Sequence, residues 1–138
     1  MFRSMAFTTI NKLPIMNVPI PENVITEMSK EEFAKQLAYN QGALVIKFGA
    51  EWCGPCKQIA SLVNSRMAQF PETIKGAVID IDDNFDIYAL LKSKRVVNGV
   101  PVILCYKKGN LTVVPDNVVV GADVAQINSF FDTCMSYA

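Results

Sequence analysis

Residues 43–48, Ala-Leu-Val-Ile-Lys-Phe, form a nearly unbroken apolar run that ends at Gly49. A strand wetted on one face alternates apolar and polar side chains, so this run predicts a strand covered on both faces. The covering layers should be helices, and the rest of the chain is patterned to supply them. Val-Ile-Thr-Glu (24–27) reads as a short strand, and Ser29-x-x-Glu32 forms a capping box for a helix burying Phe33 and Leu37. Asn40-Gln41-Gly42 stops that helix. From Cys53 to Phe70, the residues Ile59, Leu62, Val63, Met67 and Phe70 recur at helical spacing, and Pro71 ends the pattern.

The same alternation continues to the C-terminus. Residues 76–82 read as a strand, and Asn84 to Lys94 as a helix burying Ile87, Tyr88 and Leu91. Residues 100–106 form a further strand, turned at 107–110 into a last one over 111–120. Pro115 lies inside that stretch and cannot donate to a ladder, so the strand must lie at an edge or bulge there. Asp123 caps a final helix with Ile127, Phe130, Phe131 and Cys134 on one face. The expected fold is α/β: a mixed parallel and antiparallel sheet with element order β-α-β-α-β-α-β-β-α.

At 138 residues the chain makes one domain, expected over 22–138. Residues 1–21 carry Arg3, Lys12, three prolines and no acid, and read as an extended arm rather than a targeting signal. Thirteen basic and thirteen acidic residues cancel, giving no charge-based reason to expect nucleic acid or an acidic membrane as a partner. No apolar run approaches the ~20 residues that span a bilayer. The sequence contains no histidine, which removes Ser-His and Cys-His catalysis and every His-containing metal site. Asp80, Asp82 and Asp83 lie between a strand and a helix and read as caps and solvated charges.

Chemistry therefore falls to the four cysteines. Cys53 and Cys56 stand where the buried strand has ended and a helix begins. A Cys-x-x-Cys pair serves as a metal clip, a structural disulfide or a redox couple. Structural zinc takes four ligands, and here there is one knuckle with no histidine. A structural disulfide across so short a loop restrains the unfolded chain little. A helix N-terminus favours a thiolate at Cys53, Gly54 permits close backbone approach, and Pro55 gives up no hydrogen bond in the first turn. The redox couple is the strongest reading. Cys53 is expected to be the accessible thiol, Cys56 the protected one, and Cys105 and Cys134 small buried hydrophobes.

Trp52-Cys53-Gly54-Pro55-Cys56-Lys57, Gly99-Val100-Pro101 and the β-α order together resemble the thioredoxin family from about Val24 onward. The resemblance implies a central mixed sheet with helices on both faces, and a thiol–disulfide oxidoreductase. Cys53 would attack a substrate disulfide and Cys56 would resolve the mixed disulfide. Trp52, Gly54 and Pro55 would border the site. Pro101 would be a cis-proline leaving the Val100 backbone free for an extended substrate, and Gly121 would lie in a further substrate-lining loop. The family reading also implies a cytoplasmic monomer with no bound cofactor or metal. It would reduce disulfide-containing proteins and be recharged from NADPH by a separate thioredoxin reductase. An oxidase or isomerase of the protein-disulfide-isomerase kind is the alternative direction, and a non-catalytic binding module the alternative class.

Three positions depart from that family. Lys47 stands where a buried aspartate is usual, Gly49 where an aromatic is common, and residues 112–117 look like an insertion. By strand alternation Lys47 shares a face with Val45 beneath the redox helix. Two readings follow: an ion pair with Asp80, or a side chain that reaches solvent. As a cation it would favour a cysteine thiolate. As a neutral amine it could take the proton that the aspartate would have taken.

Overall fold

The structure is a computed structural model that describes residues 17–138. Most of the expected arm, residues 1–16, lies outside the described residues. The elements are α1 (Lys30–Tyr39), β1 (Ala43–Gly49), α2 (Gly54–Ala68), β2 (Ile74–Asp80), α3 (Phe85–Ser93), β3 (Val102–Lys107), β4 (Asn117–Val120) and α4 (Val124–Met135). Ser29 caps α1 by accepting from Glu32 N–H, as the capping box requires, and Asp123 caps α4 through Gln126 N–H.

The strands lie in the order β2-β1-β3-β4. β1 runs parallel to β2 and antiparallel to β3, and β3 runs antiparallel to β4. Strand alternation then divides the core. Leu44, Ile46 and Phe48 pack with Phe33 and Leu37 of α1 and Ile87 and Leu91 of α3. Ala43 and Val45 pack with Ile59 and Val63 of α2 and Ile127 and Phe131 of α4 on the opposite face. β1 is thus covered on both sides, as its apolar run requires. Each large side chain fully buried here, such as Phe48 or Ile59, contributes about 1.5–3 kcal/mol.

Two expected strands are shorter than their sequence pattern. Of residues 24–27 only Ile25 pairs, in a single parallel bridge to Ala77. Its N–H donates to Gly76 O at 3.0 Å and its carbonyl accepts from Val78 N–H at 2.8 Å. Met28 N–H then turns away to Asn84 Oδ1 at 2.9 Å, so no ladder propagates. In the last hairpin, residues 111–116 form a loop rather than a strand. Polar side chains hold it: Asn110 Nδ2 donates to Val114 O at 2.9 Å, and Tyr106 Oη donates to Val113 O at 2.7 Å. Asp116 accepts from Lys107 N–H at 2.8 Å, which closes the loop before β4. Pro115 sits in that loop and needs no ladder partner. The strand expected over 76–82 begins earlier, at Ile74, and stops at Asp80.

Candidate active site

β1, an inner strand, ends at Gly49, and a short turn later α2 begins. Cys53 is the N-cap residue of α2, with φ −91° and ψ 107°, and its Sγ accepts from Cys56 N–H at 3.1 Å. The sulfur therefore takes the place that a serine or aspartate oxygen fills in an ordinary cap. Negative charge on that sulfur meets an unpaired N–H and the positive end of the helix dipole. Cys53 and Cys56 are joined as a disulfide, with Cα atoms 5.3 Å apart. Exposure does not separate them as expected, since Cys53 is 5% and Cys56 4% exposed. In the disulfide both sulfurs are drawn into a small apolar cluster with Ala50, against Ile81 and Val100.

Surroundings separate the two cysteines instead. Cys53 Sγ lies 3.8 Å from the Val100 carbonyl oxygen. The Val100–Pro101 peptide bond is cis, Pro101 is buried and Val100 half-buried. Pro101 O accepts from Gly121 N–H at 3.0 Å, which ties the loop after β4 to the start of β3. Gly121 has φ +92°, a conformation that a side chain would strain. Tyr88 Oη accepts from Gly99 N–H at 2.8 Å and anchors the loop before β3 from α3. Gly54 and Pro55 are exposed at the start of α2. The side of the disulfide facing Val100 is largely backbone.

Cys56 faces the other way, into a groove of about 580 Å³ beneath α2 that Lys47, Gly49 and Asp80 also line. Lys47 is 5% exposed, and burial pulls its pKa below the usual lysine range. Of the two readings for Lys47, the pairing with Asp80 is absent. Among the described residues Lys47 makes no ion pair or hydrogen bond, because Asp80 Oδ1 is taken up by Asp82 N–H at 2.8 Å. Lys47 reaches the groove instead.

Trp52 is 68% exposed, and its Nε1 donates to Asp82 Oδ2 at 2.9 Å. Asp80 is a turn cap as the sequence suggests, but the role of Asp82 as a tether for Trp52 was not legible in the chain. Its only signal is an acid flanking the end of β2, the strand beside the one that carries the motif. Cys105 and Cys134 are free and buried, on β3 and α4 respectively. A hydrogen bond with Cys105, then burial, pushes the Cys134 thiol far above its ordinary range.

A family model described as Thioredoxin matches residues 24–133. The chain belongs to the thioredoxin family. It is a thiol–disulfide oxidoreductase, a disulfide reductase whose cysteine pair is Cys53–Cys56. A thioredoxin of Acidithiobacillus ferridurans is 28% identical over 112 residues, covering 80% of this chain and 96% of that one. The mitochondrial thioredoxin of Mus musculus is 30% identical over 99 residues, covering 72% of this chain and 55% of that one. Among solved structures, a mutant thioredoxin from Halobacterium salinarum superposes with a TM-score of 0.62 at 26% identity. That match covers 83% of this chain and 91% of the other. Plasmodium falciparum thioredoxin gives a TM-score of 0.64 at 22% identity, over 79% of this chain and 98% of the other, and supports the fold.

Proposed function

We propose that this thioredoxin-family domain, residues 22–138, reduces disulfides in proteins with Cys53 as nucleophile and Cys56 as resolving thiol. The observation that carries the assignment is the cap geometry: Cys53 Sγ receives the Cys56 N–H and lies 3.8 Å from the Val100 carbonyl oxygen. In the dithiol form, the Cys53 thiolate attacks one sulfur of a substrate disulfide and expels the other as a thiolate. The Cys56 thiolate then attacks Cys53 Sγ and expels the second substrate sulfur. Two electrons pass to the substrate, and the Cys53–Cys56 disulfide remains.

Val100 and Pro101 supply the backbone beside which an extended substrate would lie, and Gly121 and Trp52 flank it. Electrons would return from NADPH through a separate thioredoxin reductase. We assign the chain to the cytoplasm as a monomer, on the family reading alone. Insulin reduction coupled to NADPH and a thioredoxin reductase tests the proposal. Turnover is expected for the native chain and none for Cys53→Ser. Equal turnover by the two would remove Cys53 from the chemistry, and no turnover by either would leave a binding module.

A further inference from the structure

Lys47 is the one charged side chain buried among the described residues, and the mechanism above does not use it. A buried lysine without a counter-ion is destabilising, so its presence calls for a physical account. Three observations place it near Cys56. The ideal Cβ position at Gly49 lies 3.5 Å from Cys56 Sγ and 3.7 Å from Lys47 Cε, so both flank the space that this glycine leaves empty. The groove opening there is lined by Lys47 and Cys56 together. Strand alternation puts Lys47 on the α2 side of β1, with Val45 and opposite Phe48.

The other charged groups on the groove are Glu27 before α1, Glu51 before α2, Lys57 on α2, Asp80 at the end of β2 and Asp83 beyond it. Glu27, Glu51, Lys57 and Asp83 are exposed, and Asp80 caps the turn that follows it. Lys47 alone is both buried and uncommitted.

Resting on the dithiol reading above, we propose that Lys47, as the neutral amine, takes the proton from the Cys56 thiol and passes it to solvent through the Gly49 groove. Burial favours the neutral amine and brings its proton affinity closer to that of a thiol, which suits proton transfer between them. The step balances. Cys56–SH and Lys47–NH₂ become a thiolate and an ammonium, which attract each other. The thiolate then attacks Cys53 Sγ, and its charge leaves on the departing substrate sulfur. The ammonium is left buried without a partner, and it releases its proton to water in the groove. Lys47 is ready for the next cycle.

The two sulfur steps separate in a stopped-flow reaction with the aromatic disulfide dithiobis-nitrobenzoate. The first equivalent of coloured thiolate reports attack by Cys53, and the second reports resolution by Cys56. Lys47→Met should leave the first phase unchanged. It should slow the second at least about tenfold at neutral pH, with recovery at high pH where the thiol ionises unaided. Lys47→Arg should be as slow as Lys47→Met, because a guanidinium cannot give up its proton. A wild-type second phase in Lys47→Met would overturn the proposal. So would a Lys47→Arg variant that restores the rate, since positive charge alone would then suffice. Gly49→Leu supplies a variant that keeps the lysine. Its Cβ meets Cys56 at ordinary contact distance while the longer side chain fills the groove. An unslowed second phase there would remove the groove as the proton route. Loss of both phases in the native chain would instead overturn the dithiol reading itself.

Discussion

The two sides of the Cys53–Cys56 disulfide are built from different materials. Toward Cys53 the site is mostly backbone: the Val100 carbonyl, the cis Val100–Pro101 bond and the Gly121 N–H held on Pro101 O. Toward Cys56 it is side chain and empty space: a buried lysine, a glycine and a groove. Backbone on the first side can recognise any extended peptide, since main-chain groups are common to all of them. Side chains on the second side set proton affinity and solvent access, and these are the features that single substitutions change. The departures Lys47 and Gly49 both fall on the second side. On the roles proposed above, recognition and proton handling are separable.

On the backbone side the expected effect is a loss of turnover. Gly121→Val forces a branched side chain onto φ +92°, at a cost of about 1–2 kcal/mol or displacement of the loop. We expect kcat/KM for insulin to fall roughly tenfold, mainly through KM, with thiolate formation at Cys53 untouched. A fall confined to kcat would erase the distinction between the two sides.

A smaller effect, of opposite sign, is expected in stability on the groove side. Burial lowers the Lys47 pKa from 10.5, so the unfolded chain holds this proton more tightly than the folded one does. The folded state bears the full penalty below its own lowered pKa, and the penalty fades as pH rises toward 10.5. Lys47→Met should therefore raise the denaturation midpoint at neutral pH, and the gain should shrink in alkaline solution. A midpoint that falls at neutral pH would mean that the Lys47 side chain makes stabilising contacts that methionine does not replace.

Asp82→Ala should have the smallest consequence. An exposed hydrogen bond to Trp52 Nε1 is lost, worth at the low end of about 0.5–1.5 kcal/mol. A two- to threefold rise in KM is expected, with a larger tryptophan emission anisotropy change on substrate binding as the freed ring is ordered. No change in either would make Asp82 an ordinary surface charge.

The sequence spoke most clearly where one residue type has one physical use. The nearly unbroken run 43–48, the capping box at Ser29 and Glu32, and Cys53 ahead of Pro55 each matched the structure because local chemistry decided them. It misled where tertiary partners decide. Residues 111–116 have strand composition, yet Asn110, Thr112 and Asp116 fold them into a polar-tied loop. Ile25 is a single bridge because Met28 N–H finds Asn84, 56 residues away. The Asp82–Trp52 tether spans 30 residues and has no periodic signature. The orientation of Lys47 was readable from strand alternation, but its lack of a partner was not. That lack depends on Asp80 preferring the turn N–H groups beside it.

Division of labour between the two cysteines is the central claim, and a trapping measurement tests it most directly. A Cys56→Ser chain, reduced and mixed with a disulfide-bonded protein substrate, should stall as a covalent complex, because no thiol remains to resolve it. Peptide mass spectrometry of the non-reduced complex should place the linkage on Cys53. A linkage on Cys105 or Cys134, or a Cys53→Ser chain that traps substrate equally well through Cys56, would contradict the account.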